Sequence, residues 1–223
     1  MPSPAKVTVL ISGSGSNLQA LINASTSSTP PTLPNVTFTR VISDRASAYG
    51  LQRATAAGIP TSTLGILPYK KRFPDPSGTP AFQSAREAYD ADLAALVLQD
   101  SPDMVVCAGF MRILTGAFLE PLEKAGVRII NLHPALHGDL VGAGCIERAW
   151  AEFEEGNRRK TGVMVHYVIA AVDEGEPILQ REVDMEGCKS LEELQERIHT
   201  VEHGLIVEGA RRVAEDVVSK AAN

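Results

Sequence analysis

Apolar residues recur along the chain in two alternating rhythms. Short β-branched runs at Lys6–Ile11 (KVTVLI), Val36–Ile42 and Thr61–Leu64 read as strands, and helical spacing fills the stretches between them. Leu18, Leu21 and Ile22 share one face of a helix, and Ala48–Ala57 reads as another, closed by Gly58 with Pro60 beyond it. Ser84 and Glu87 stand at capping-box spacing and predict a helix running to about Gln99. Met104–Ala108 and Val127–Leu132 are unbroken apolar runs, the pattern of strands covered on both faces. Later, Val163–Ile169 and Pro177–Val183 read as strands around a turn at Asp173-Glu174-Gly175. Ser190 with Glu193 then opens a long helix toward Asp216. Ser25–Asn35 and Leu67–Pro80, rich in Ser, Thr and Pro, read as surface loops, the second carrying Lys70-Lys71-Arg72.

The alternation predicts one α/β domain over residues 1–223, with no repeat and no long linker. Its sheet is expected to be mostly parallel and Rossmann-like, with helices on both faces. Sites in such sheets form where loops leave the carboxyl ends of strands, which directs attention to the loops after Ile11, Ala108 and Leu132.

Composition narrows the field. The net charge is -6, so no basic face of the kind that neutralises phosphates is expected, and a nucleic-acid partner is set aside. Cys107, Cys145 and Cys188 are odd in number and widely spaced, which suggests neither a disulfide framework nor a metal site. Met1–Leu10 lacks an apolar signal region, and no apolar run reaches the roughly 18 residues of a membrane span. The expectation is a reduced, cytoplasmic protein without membrane or metal.

Three loops could carry chemistry. Ser12-Gly13-Ser14-Gly15-Ser16-Asn17 joins a strand to a helix. It is either a phosphate cradle at a helix N-terminus or simply a tight, capped turn. Leu18 stands where a dinucleotide fingerprint needs its third glycine, which opposes a nicotinamide dehydrogenase. Ala108–Leu114 is apolar but for Arg112. That composition suits a flat ligand with an acidic part, or a packing turn with Arg112 reaching water. Asn131-Leu132-His133-Pro134 puts an amide and an imidazole on alternating positions of a strand, hence on one side. Asn can stabilise an oxyanion and His can move a proton, although a His at a strand end is often only packed. Asp173 is either the carboxylate that orients His133 or an ordinary turn residue. No Ser or Cys elbow accompanies these residues, which argues against covalent hydrolysis.

In order along residues 6–215, the segments SGSGSN, SAREAYD (84–90), AGFMRIL (108–114), NLHPAL (131–136), VHYV, VDEGEPILQ and Glu202-His203 appear together. This ordered set resembles the phosphoribosylglycinamide formyltransferases, folate-dependent enzymes of purine synthesis. The resemblance implies a single-domain formyltransferase fold, with a nucleotide-binding half over about 6–110 and a catalytic, folate-binding half over about 111–215. It implies 10-formyltetrahydrofolate as co-substrate and glycinamide ribonucleotide as acceptor, in a monomer or homodimer. Asn131, His133 and Asp173 match the catalytic residues. Gly13, Ser14, Gly15, Ser16, Asn17 and Arg86 match the surroundings of the substrate phosphate, and Glu202 matches the acid on the ribose. Met111, Arg112, Ile113 and Leu114 fall on the folate-lining segment, with Val172 and Asp173 opposite.

Two positions depart from the family: His137 stands where Pro is usual, and Gly144 where a loop His is usual. The segment 67–80 is also longer than in shorter members. Three readings compete: a tRNA formyltransferase, a formyltetrahydrofolate hydrolase, or a non-catalytic binding module on the same fold. The length of 223 residues is expected to leave no room for the extra domains of the first two.

Overall fold

The computed structural model of the chain describes residues 3–26, 31–73 and 80–221. Seven strands among them form one sheet: β1 (Ala5–Ile11), β2 (Val36–Ser43), β3 (Thr61–Thr63), β4 (Met104–Cys107), β5 (Arg128–His133), β6 (Lys160–Tyr167) and β7 (Pro177–Asp184). Their spatial order is β3-β2-β1-β4-β5-β6-β7. The pairs among β1–β5 are parallel, whereas β6 and β7 join antiparallel at the edge. The mostly parallel sheet expected from the sequence is therefore present, with an antiparallel extension.

Helices cover both faces because alternate strand residues point to opposite sides. On β4, Met104 and Val106 pack toward α1 (Ser16–Thr26), α6 (Cys145–Glu154) and α7 (Leu191–Ala221). Val105 and Cys107 face the other layer, made of α3 (Leu67–Arg72), α4 (Pro80–Leu98) and α5 (Gly116–Lys124). The remaining helix, α2 (Tyr49–Ala56), packs near α1 and β2. Fully buried side chains such as Leu10, Leu93 and Ile130 each contribute about 1.5–3 kcal/mol of transfer free energy.

Three expectations change. Leu67–Arg72 is helical rather than a loop, because Pro68 lies in the first turn, where its missing N–H costs nothing. The helix expected to open at Ser84 already begins at Pro80, so Ser84 and Glu87 lie inside α4 rather than at its start. Helices α5 and α6 were not foreseen at all. Parts of the two loop segments, 27–30 and 74–79, lie outside the described residues. Among the described residues, no helix is long and apolar enough to cross a membrane.

Candidate active site

The glycine loop is built from backbone. After β1, the chain turns through Ser12–Gly15 into α1, and the first turn of α2 crosses directly over it. The Gly50 N–H donates to the Gly13 carbonyl at 3.1 Å, and Arg53 Nε donates to the Ser14 carbonyl at 2.9 Å. Gly15 has φ +72, and a Cβ placed there would stand 2.5 Å from Gly50 Cα. Only paired glycines allow so close a crossing. Asn17, one turn into the site, is buried and donates from Nδ2 to Glu202 Oε2 at 3.4 Å, while its Oδ1 has no partner. The structure thus brings Glu202 of α7 to the glycine loop across 185 residues of sequence.

Ser12 joins this corner to the next one. Its N–H donates to the Gly109 carbonyl at 3.0 Å, and its Oγ accepts from the Met111 N–H at 2.8 Å. Beside this loop opens a cavity of about 500 Å³, with Phe82, Tyr89, Phe110, Leu114, Val168 and Ile169 on its apolar walls. Met111 is 72% exposed and Ile113 52% exposed, so two apolar side chains stand in water next to it. Burying such surface under a ligand is favourable.

Arg112 lines the cavity as well, with its head held by neighbouring side chains. Its Nε lies 2.8 Å from Oδ2 of Asp44, whose side chain is 2% exposed, and its guanidinium packs over the Tyr89 ring at 5.2 Å. The Nε–H has no aligned acceptor, so the contact is an ion pair rather than a directed hydrogen bond. Its head serves the junction of the β2 and β4 loops. Arg86 also stands here. It lines the cavity and donates from Nη2 to the Ile113 carbonyl at 2.7 Å, with Phe82 under its guanidinium. Among the described residues, Gly13–Asn17 do not line that cavity. Arg86 therefore stands beside Met111–Leu114, on the same helix as Tyr89 and Asp90, which face the cavity too. Asp90 is held above the usual carboxylate range by burial, partly offset by hydrogen bonding from Thr115 at 2.7 Å.

At the polar end of the cavity stand Asn131, His133 and Asp173. Asn131 and His133 alternate with the inward-packed Ile130 and Leu132 on β5, so they share a face, as their spacing predicts. The segment between β6 and β7 folds back over that face and delivers Asp173 at φ +56, an uncommon conformation for a residue with a Cβ. Asp173 Oδ2 lies 3.4 Å from His133 Nδ1 and accepts from the Gly142 N–H at 3.0 Å. Its Oδ1 lies 3.5 Å from Asn131 Nδ2 and from His166 Nε2.

Both ring nitrogens of His133 face acceptors, since Nε2 lies 2.8 Å from the Leu140 carbonyl. Burial opposes charge on this ring. The hydrogen bonds to Cys145 and Leu140 and the Asp173 carboxylate outweigh it, so the His133 pKa is raised. For Asp173, burial also opposes charge and is outweighed by His166, the Gly142 N–H and His133, so its pKa is lowered. The pair is electrostatically arranged as imidazolium and carboxylate.

His166 and Cys145 belong to this cluster and were not singled out from sequence. His166 sits opposite Asn131 in the antiparallel register of β5 and β6. Its Nδ1 faces the Tyr167 carbonyl at 2.9 Å, and its Nε2 stands between Asn131 Nδ2 at 3.2 Å and Asp173 Oδ1 at 3.5 Å. Cys145 Sγ lies 3.5 Å from His133 Nε2 and 3.1 Å from the Gly142 carbonyl. Val172 lines the cavity beside Asp173. His137 is exposed, and only its backbone N–H reaches Gln180. Gly144 stands at φ +68 just before α6, a conformation that a His would adopt only under strain. Among the described residues, no group of three or more His, Cys, Asp or Glu stands together to hold a metal ion.

On a doubly covered α/β sheet, the Asn–His–Asp cluster closes an apolar cavity, an arrangement suited to acyl transfer. The family profile described as formyl transferase matches residues 5–209, and the chain belongs to that family. Within it, the chain is 46% identical over 212 residues to phosphoribosylglycinamide formyltransferase of Schizosaccharomyces pombe, covering 95% of this chain and 98% of that protein. The corresponding enzyme of Saccharomyces cerevisiae is 41% identical, with 96% and 99% covered. Glycinamide ribonucleotide transformylase 1 from Symbiobacterium toebii has a structure similar to this one at a TM-score of 0.76 and 33% identity. That match covers 96% of this chain and 89% of that one.

Proposed function

We propose that the chain transfers the formyl group of 10-formyltetrahydrofolate to the amine of N1-(5-phospho-D-ribosyl)glycinamide, in purine biosynthesis. The observation that carries this reading is the Asn131–His133–Asp173 cluster closing a cavity whose other walls are apolar and aromatic. The flat donor fits those walls, beside the exposed Met111 and Ile113, with Val172 next to Asp173. The acceptor's phosphate goes to the backbone N–H groups of Gly13–Asn17, and its ribose hydroxyls go to Glu202 and Asn17. The domain thus divides into a nucleotide-binding half over about 6–110 and a catalytic half over about 111–215, with Glu202 reaching back to the first.

The amine attacks the formyl carbon directly. Negative charge develops on the formyl oxygen, and the His133 imidazolium stabilises it, its Nε2–H shared between that oxygen and the Leu140 carbonyl. The Asn131 N–H that reaches Asp173 only at 3.5 Å is weakly held and turns to the same oxygen. Asp173 keeps His133 charged and oriented, and takes the proton released by the attacking amine through water. The tetrahedral intermediate then collapses, the bond from the formyl carbon to N10 breaks, and that proton passes through water to the departing tetrahydrofolate nitrogen. Holding both reactants supplies the remaining acceleration through proximity. Arg86, beside Ile113, meets the acidic part of the donor.

One observation favours a second reading, in which the formyl group passes through a thioester on Cys145, whose Sγ lies 3.5 Å from His133. Against it, Cys145 is 2% exposed and its thiol is turned to the Gly142 carbonyl. Cys145→Ser separates the two: direct transfer predicts kcat within about threefold of wild type, whereas a thioester route predicts loss of about 10²-fold or more. The test of the function itself follows the folate absorbance change with and without glycinamide ribonucleotide. Amine-dependent turnover is expected. Turnover indifferent to the amine points to a hydrolase, and none at all points to a binding module.

A further inference from the structure

Between β5 and α6 the chain crosses the catalytic pair, and four contacts pin it there. Asp139 is gripped by Arg158 through two hydrogen bonds of 2.7 and 2.8 Å. Next to it, the Leu140 carbonyl lies 2.8 Å from His133 Nε2, and the Val141 carbonyl accepts from Arg148 Nη2 at 2.6 Å. The Gly142 N–H donates to Asp173 Oδ2 at 3.0 Å. Arg158 is itself anchored, donating to Glu152 of α6 at 2.7 Å and to the Lys160 carbonyl at the start of β6 at 3.3 Å. A planar fork held on three sides is a rigid post, and bidentate pairing carries that rigidity to Asp139.

We propose that Arg158, acting through Asp139, is a positioning residue for the reaction. It sets the backbone of 139–142 so that the Leu140 carbonyl and the Gly142 N–H hold His133 and Asp173 as imidazolium and carboxylate. The reasoning is local. With a carboxylate at Nδ1 and a carbonyl at Nε2, only the doubly protonated ring satisfies both neighbours. If the carbonyl leaves, a neutral ring serves equally well. Moving the segment likewise removes from Asp173 a donor that favours its charged form.

The other groups facing this pair are not among the partners of Arg158. They are Asn131 on β5, His166 on β6, and Cys145 with Arg148 behind it on α6. The direct field of Arg158 acts in the opposite sense. Removing a cation would make His133 easier to protonate, whereas releasing the Leu140 carbonyl makes it harder.

The inference rests on His133 and Asp173 being the working pair, so its test reads the ring without substrate. The His133 imidazole is titrated by NMR, its signal assigned by its absence in His133→Gln, in wild type, R158Q and R158K. The expected result is a His133 midpoint that falls in R158Q, and falls less in R158K, which keeps the charge but loses the fork. The alkaline limb of kcat/KM should move with it, so that the R158Q deficit is about threefold or more larger near pH 8.5 than near pH 6.5. An unchanged or higher midpoint in folded R158Q overturns the proposal. If R158Q does not fold, an unchanged midpoint in R158K does so. A chain that turns over no substrate would count against the formyl-transfer reading, while the NMR midpoints would still decide this one.

Discussion

Two corners of the same sheet edge are built from opposite materials. At the glycine loop, the working groups are backbone atoms, and the design lies in what is missing: side chains at Gly15 and Gly50, so that α2 can cross α1's entry at contact distance. At the β5 corner, the proposed working groups are side chains, and the design lies in what surrounds them: carbonyls, an N–H and the His166 ring. A backbone site is indifferent to the chemistry of its side chains but intolerant of a Cβ. A side-chain site is sensitive to single atoms. Each corner therefore breaks under a different substitution.

The largest effect is expected at the side-chain corner. His133→Ala should lower kcat by about 10²–10⁴-fold with the fold kept by circular dichroism, and a rate near wild type would remove His133 from the chemistry. Next comes the backbone corner. Gly15→Ala, forced into φ +72 against Gly50, should destabilise the protein by about 1–3 kcal/mol in denaturant titration and raise KM for the nucleotide, with kcat less affected. Arg86→Ala sharpens the boundary between the two. Its position beside Ile113 predicts a KM for the formyl donor raised by about three- to tenfold and an unchanged KM for the nucleotide; the reverse would place it at the phosphate.

The smallest effect is one of width in the pH profile. A raised His133 keeps its proton to higher pH, and a lowered Asp173 keeps its charge to lower pH. Activity that needs imidazolium and carboxylate should therefore fall below the ordinary carboxylate range on the acid side. On the alkaline side it should fall above the ordinary imidazole range. Limbs of kcat/KM at the unshifted positions would contradict this electrostatic arrangement.

The strands and the glycine loop were legible because their signals are local. KVTVLI needs no partner to read as a strand, and Gly13 and Gly15 announce a turn wherever they fall. Helix α5 was hidden by Pro121 inside it and α6 by its polar face, while α3 was hidden by the prolines around it. At the site, the shared face of Asn131 and His133 followed from spacing alone. The neighbours that give them their charge did not. His166 meets Asn131 only through an antiparallel register, Asp44 captures Arg112 from another loop, and Arg158 grips Asp139 from beyond α6. Arg86 was assigned to the phosphate by resemblance. The helix face it shares with Tyr89 and Asp90 brings it to the cavity wall, a neighbourhood no local pattern announces.

The central claim is direct formyl transfer at the His133–Asp173 corner, and carbon-labelled formyl donor tests it most directly. Wild-type protein is mixed with the labelled donor and glycinamide ribonucleotide, and the label is traced by mass spectrometry. The account predicts label in the formylated nucleotide, one for one with the tetrahydrofolate released. Label recovered as free formate, or bound to Cys145, would contradict it.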